Sequence, residues 1–86
     1  MRALNVVRLP SSAPVRLDDG PKTAAFVQRE IFRSGWSYVK IAEVAGISSP
    51  TVGAIAQGVT KRPAMRTVVL ILTALGWEVY ASERTR

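Results

Sequence analysis

The most informative part of the chain is IAEVAGISSPTV, residues 41–52. Two short helices that cross closely need a small residue at their contact, and Ala42 meets that need. Four residues later, Gly46 can adopt the positive φ of a tight turn without strain. Ser48 is a favoured N-cap for the helix that follows. This order of residues predicts two short helices joined by a turn, the helix-turn-helix arrangement, over Ser37–Gly58.

Two further helices are predicted around this unit. Pro21 is predicted to be the first residue of the first helix. Proline has no backbone N–H, but at the first helical position that N–H would make no bond within the helix, so nothing is lost. Val27 and Ile31 continue it as a buried stripe, which Phe32 is expected to widen. Pro63 is expected to open the last helix in the same way. The apolar face of that helix is predicted at Met65, Val68, Val69, Leu72 and Leu75.

The two ends of the chain are expected to be less helical. Residues 4–9 are rich in β-branched side chains and fit a short strand, although a flexible basic arm fits them as well. Residues 77–82 alternate large apolar and polar side chains, which predicts a strand. The predicted fold is therefore mostly α, a four-helix helix-turn-helix domain with a short C-terminal β-strand and, as an open alternative, a short N-terminal strand. It divides into residues 1–20 as arm or strand plus linker, 21–76 as helix-turn-helix domain, and 77–86 as strand and tail.

Composition indicates the kind of partner. The chain has 86 residues, enough for one domain. Lys and Arg number 12 against 6 Asp and Glu, which gives a formal net charge of +6 and a sequence pI of about 10.9. A small domain this basic attracts polyanions, and nucleic acid is the commonest of them. The alternative is that the excess arginine only keeps the surface soluble.

The residue types that are missing argue against catalysis. The sequence contains no cysteine and no histidine, so it lacks thiolate and imidazole groups as nucleophiles, bases and metal ligands. We therefore expect no enzyme activity, no metal and no cofactor. The longest apolar run, residues 68–75, is too short to span a bilayer, and no signal peptide is recognisable. These features predict a cytoplasmic protein without a membrane contact.

Residues 41–52 resemble the helix-turn-helix of the lambda-repressor/Cro superfamily of transcriptional regulators. The following segment is similar to the same family in its order of residues, Gly58, Pro63, Thr67, Leu72, Ala74, Leu75 and Gly76. The resemblance covers roughly residues 21–76. It implies a sequence-specific regulator of transcription that binds double-stranded DNA, most often a dimeric repressor, here of phage or mobile-element type. It also implies that the helix Ser49–Gln57 enters the major groove.

The resemblance assigns DNA contacts to particular residues. Gln57 can read adenine and Ala54 can contact a thymine methyl group, whereas no Arg or Lys on that helix can read guanine. More of the specificity is then expected to come from DNA shape or from an N-terminal arm. Lys40, Lys61 and Arg62 are expected to meet phosphates. The full set of predicted DNA-binding residues is Ser37, Tyr38, Lys40, Ser48, Ser49, Pro50, Thr51, Gly53, Ala54, Gln57, Thr60, Lys61 and Arg62.

The C-terminal strand suggests a second kind of contact. An unpaired edge strand is a liability for a monomer, and pairing it with a second copy or with the N-terminal strand would close the edge. The predicted dimerisation residues are Trp77, Val79, Tyr80 and Ala81. An equally simple alternative is that Trp77 and Val79 cover the last helix of their own chain. Helical regulators with a terminal strand also resemble the antitoxins of toxin–antitoxin pairs, so the second hypothesis is a protein-interaction module that neutralises a partner protein.

Overall fold

A computed structural model describes residues 4–8, 15–17 and 20–82 of the chain, with side chains for Leu17 and residues 20–78. Four helices account for most of these residues, which confirms the mostly helical prediction. They are α1 (Pro21–Ser34), α2 (Tyr38–Ala45), α3 (Ser49–Ala56) and α4 (Met65–Ala74). Three short strands, β1 (Leu4–Arg8), β2 (Val15–Leu17) and β3 (Glu78–Ser82), form an antiparallel sheet in the order β2-β1-β3. Within the described residues, no helix combines the length and the apolar composition that a membrane crossing requires.

Most helix ends lie where local signals predict them. Pro21 is the first residue of α1. The Ser37 and Ser48 side chains cap α2 and α3, each by accepting a hydrogen bond from the backbone N–H three residues later. Gly46 ends α2 with a φ of 77°, the left-handed conformation that glycine adopts without strain. The predicted starts of α2 and α3 are therefore confirmed, while α3 ends at Ala56, one residue before the predicted Gln57, which is its C-cap.

The hydrophobic core lies between the four helices. α3 packs against α1 and α2, while α4 packs against α1, α2 and β3. Ile71 was not expected to be part of the apolar face of α4, yet it is fully buried because this helix is covered from several sides. The completely buried large side chains are Leu17, Val27, Ile31, Ile41, Val52, Ile55, Val68, Ile71 and Leu72.

Two expectations about helix faces and ends are wrong. The Phe32 side chain does not widen the buried stripe of α1, because it is 65% exposed. Phe26, on another side of the same helix, is buried instead. Pro63 does not open α4, which begins at Met65 after an extended Ala64 with φ −60° and ψ 138°. Pro63 is buried in the preceding loop, so its ring contributes to packing rather than to the helix start.

Trp77 follows α4 and is anchored inside its own chain. Its ring is 8% exposed and makes an edge-to-face contact with Phe26, with 5.1 Å between the ring centroids. Its Nε1–H donates a hydrogen bond of 3.2 Å to Oε1 of Glu30, a carboxylate that is itself buried. Oε2 of the same Glu30 accepts from Nη1 of Arg33, also at 3.2 Å. This buried carboxylate thus has a donor on each oxygen, as burial of a charge requires.

The burial of Trp77 leaves little of its ring for contact with a second copy of the chain. The structure thus favours the simpler alternative for this residue, that it covers the helices of its own chain. The side chains of Val79, Tyr80 and Ala81, the other predicted dimerisation residues, lie outside the described part of the chain.

Candidate nucleic-acid interface

The α2–α3 pair forms a compact corner. Ala42 is 5% exposed at the contact between the helices, where a larger side chain would push them apart. Its carbonyl oxygen accepts hydrogen bonds from the N–H groups of Gly46, at 2.8 Å, and Ile47, at 3.0 Å. These bonds close the last turn of α2 and turn the chain directly into the cap of α3.

α3 has only eight residues, and it is fixed at both ends. At its C-terminal end, Gly58 has a φ of 78°, and the Val59 N–H donates to the Ala54 carbonyl oxygen at 2.9 Å. This pattern satisfies carbonyl groups that a helix end otherwise leaves open. From α1, Nε2 of Gln28 donates to the Ala56 carbonyl oxygen at 2.7 Å. Gln28 is half-buried and ties α1 to the last turn of α3.

Gly53 was predicted to be one of the exposed positions of this helix, and that prediction is wrong. The residue is buried because the Tyr38 ring of α2 lies over it. A Cβ atom at this position would lie 3.3 Å from Cδ2 of Tyr38 and 3.4 Å from its Cε2. The absence of a side chain thus allows an aromatic ring from α2 to lie directly on the surface of α3.

An open groove of about 470 Å³ runs along this surface. Its lining comes from α2, α3 and the loop after α3 and includes Tyr38, Val39, Pro50, Ala54, Gln57 and Val59. Val39 and Val59 are 63% and 71% exposed, respectively. Neither was predicted as a site residue. The sequence did contain a sign that Val39 is exposed for a reason. It lies on the outer side of an amphipathic helix, where a polar side chain is usual, and an apolar residue there can indicate a contact surface.

Three exposed cationic side chains lie in the segments next to the groove-lining residues, although none of the three lines the groove itself, and Lys61 lines a separate hollow with Pro21 and Gln28 of α1. Lys61 and Arg62 are exposed in the loop after α3, where the Thr60 N–H donates to the Ala54 carbonyl oxygen at 3.1 Å and holds the loop against the helix. Lys40 is exposed near the start of α2, with its Nζ 4.6 Å from the centroid of the Trp36 ring. An exposed carboxylate, Glu43, also lies on α2 but does not line the groove.

The predicted DNA-binding residues differ in exposure, and six of them, Tyr38, Ser49, Pro50, Gly53, Ala54 and Gln57, line the groove together. Exposed members are Ser37, Lys40, Ser48, Pro50, Gln57, Lys61 and Arg62. Half-buried members are Tyr38, Ser49, Thr51, Ala54 and Thr60. Gly53 is buried. Ser37 and Ser48 have structural roles as caps, and Oγ of Ser48 also shares a 2.7 Å hydrogen bond with Oγ1 of Thr51.

Chemically, this surface offers apolar contacts and uncharged hydrogen-bonding groups along the helix, with positive charge beside it. It offers no charged group on α3 itself, whose sequence is SPTVGAIA. No family model matches the chain, and no curated protein or solved structure was found that matches it.

Proposed function

We propose that the chain is a sequence-specific regulator of transcription that binds double-stranded DNA as a dimeric repressor. In this proposal Ser49–Gln57 enters the major groove, while α2 lies across the sugar-phosphate backbone. The observation that carries it is a short, firmly held helix with an uncharged outer side and cations beside it. Such a helix can approach base edges closely while the neighbouring cations meet phosphates.

The phosphate contacts are assigned to exposed groups on both sides of α3. Lys61 and Arg62 would contact one stretch of the backbone from the loop, and Lys40 would contact another from α2. A cation in the first turn of a helix opposes the helix dipole, so Lys40 occupies a position that a nearby phosphate would favour. Glu43 lies three residues after Lys40 on the same face of α2, so its carboxylate would offset part of the attraction of Lys40 for a phosphate.

We also propose that residues 21–76 have the lambda-repressor-like arrangement. Support comes from the similarity of residues 41–52 to that family and from four helices in sequence, the second and third joined by a glycine turn. The dimer is assigned to β3, which pairs with β1 and is an edge strand in the order β2-β1-β3 of the described residues. Two such edges can pair around a two-fold axis.

A salt titration of DNA binding tests the proposal. The probe is the duplex upstream of the gene for this chain, compared with a shuffled duplex of the same composition. We expect at least a tenfold preference, about 1.4 kcal/mol, at physiological salt. Equal binding to both duplexes that falls steeply with salt would show phosphate attraction alone and would count against a specific regulator.

Matched variants then locate the interface. Lys61→Ala should lower the slope of log K against log salt by about 0.9, because one phosphate contact is lost. Arg33→Ala removes the same charge from α1 and should leave the slope unchanged. Gln57→Ala should reduce the preference for the specific duplex. If a folded Gln57→Ala, Lys61→Ala double variant binds like the parent, the assignment of this face is wrong.

One observation favours the second hypothesis, an antitoxin-like module that neutralises a partner protein. The groove is largely apolar, and exposed valines such as Val39 and Val59 are also what a partner helix would cover. The two hypotheses differ in their response to Val39→Ser with Val59→Ser. A stoichiometric partner protein that is released by these changes, with no preference for any duplex, would favour the interaction module. Truncation after Gly76 is a poor alternative test because it removes Trp77 from the core.

A further inference from the structure

The groove beside α3 restricts what the chain can recognise in a base pair. The commonest contact to guanine needs an Arg or Lys, and the common contact to cytosine needs a carboxylate. α3 carries neither, and the described groove lining contains no charged side chain. The remaining groups are methyl and methylene groups and the side-chain amide of Gln57, together with the hydroxyl groups of Ser49 and Tyr38.

Four apolar side chains line this groove together and form what we call its apolar wall. Ala54 is half-buried in the middle of the outer side of α3, and Val59 is held next to it by its N–H bond to the Ala54 carbonyl oxygen, at 2.9 Å. Val39 and Pro50 contribute to the same groove from α2 and from the first turn of α3. Thymine is the only DNA base with a methyl group in the major groove, and it packs against apolar side chains.

Gln57 completes the arrangement. It is the C-cap of α3, three residues after Ala54, and it is exposed and lines the same groove as Ala54. A glutamine amide can donate to N7 and accept from N6 of adenine. A methyl-binding wall next to such an amide matches the two bases of an A·T pair, or of adjacent A·T pairs.

We infer that this surface selects A·T base pairs mainly by packing thymine C5-methyl groups against Ala54 and Val59, with Gln57 on adenine. The inference rests on the proposed function, since it applies only if α3 enters the major groove. The inference adds to the proposed function the class of DNA that is bound, namely duplexes in which thymine methyl groups face the helix. It also assigns a role in base recognition to an exposed valine, Val59, whose side chain has no hydrogen-bonding group.

Replacing single thymines by deoxyuridine tests the inference, because this removes the methyl group and leaves the base-pairing groups intact. The probe is a duplex selected by the purified full chain from a random pool. At one or more positions within the bound site, we expect deoxyuridine to weaken binding about fourfold, the effect of exposing one buried methyl group. Deoxyuridine outside the bound site is the control and should have no effect.

A protein variant links the effect to the groove. Val59→Thr keeps the shape of the side chain and replaces a methyl group with a hydroxyl group at a site that is 71% exposed, so folding should be unaffected. The variant should bind the thymine duplex more weakly and lose part of its sensitivity to deoxyuridine, because Ala54 and the remaining methyl group of the threonine still contact thymine. Unchanged affinity at every deoxyuridine position, in a duplex that the chain still prefers, would overturn methyl recognition but leave the proposed function intact. If no duplex is selected from the pool, the proposed function fails as well.

Discussion

Trp77→Phe tests whether the residues after α4 belong to the folded core. The substitution keeps an aromatic ring against Phe26 but removes the Nε1–H that donates to buried Glu30 at 3.2 Å. A hydrogen bond to a charged group is worth about 1.5–3 kcal/mol, and the smaller ring leaves a cavity that costs about 1 kcal/mol more. We therefore expect the free energy of unfolding to fall by about 2.5–4 kcal/mol, a large part of the stability of a domain of this size.

The second half of the test uses Glu30→Met, which replaces the carboxylate by an apolar side chain of similar length. Its bond to Arg33 contributes little, because the Arg33 side chain is 66% exposed. In the Trp77→Phe, Glu30→Met double variant, no buried carboxylate oxygen is left without its donor. The double variant should thus be more stable than the sum of the single losses predicts, by at least 1 kcal/mol.

Urea unfolding followed by far-ultraviolet circular dichroism measures these changes, since tryptophan fluorescence changes with the substitution itself. Glu30→Met alone should also lose stability, because it leaves the indole N–H without its acceptor. The reasoning is refuted if Trp77→Phe changes the free energy of unfolding by less than about 0.5 kcal/mol, or if the two losses are additive within error. Either result would mean that Trp77 is not fixed by Glu30 and would return it to the candidates for contact with a second copy.

Four further substitutions test the local assignments. Ser48→Ala should lower the free energy of unfolding in urea by about 1 kcal/mol because α3 loses its cap, and an unchanged stability would show that the cap is dispensable. Phe32→Ser should change that free energy by less than about 0.5 kcal/mol, whereas Ile31→Ala, one residue earlier but buried, should cost about 2–4 kcal/mol; similar losses would contradict the assigned helix face. Gly53→Ala should gain up to about 1 kcal/mol of helix propensity and move the Tyr38 ring by a few tenths of an ångström, visible in its NMR ring signals; a loss of more than 1 kcal/mol would show that the ring cannot move.

The sequence predicts the helix ends well because the signals for them are local. A cap such as Ser48 accepts a hydrogen bond from a backbone N–H three residues away. A glycine such as Gly46 adopts the left-handed conformation that ends a helix at its own position. Both effects are visible in a short window of sequence. The uncharged character of α3 and the cations around it are likewise properties of composition and need no structure.

The burial of Glu30 could not be predicted in this way. Its donor Trp77 lies 47 residues away along the chain, so no window around either residue shows the contact. Phe26 and Phe32 present a related problem, since both are apolar residues of an amphipathic helix. Which one is buried depends on where Trp77 packs, and that is a tertiary effect.

The candidate site was predicted only in outline for the same reason. The exposure of Gln57, Lys61 and Arg62 follows from their polarity and position. The burial of Gly53 does not, because it results from a side chain of α2 that crosses onto α3. Sequence patterns assign each residue to its own helix, whereas this surface is shared between two helices.

The position of the Tyr38 ring over Gly53 has a consequence for how this surface can diversify. At this point the surface of α3 is formed by the Tyr38 ring, which belongs to a residue fifteen positions before Gly53. A ligand of α3 would therefore contact a side chain of α2 there. Exchange of Tyr38 for another side chain would alter the contact face of α3 without changing any residue of α3, its cap or its helix propensity. Under the proposed function, a change of Tyr38 alone would thus alter the binding preference of this surface, while every residue of α3 stays the same.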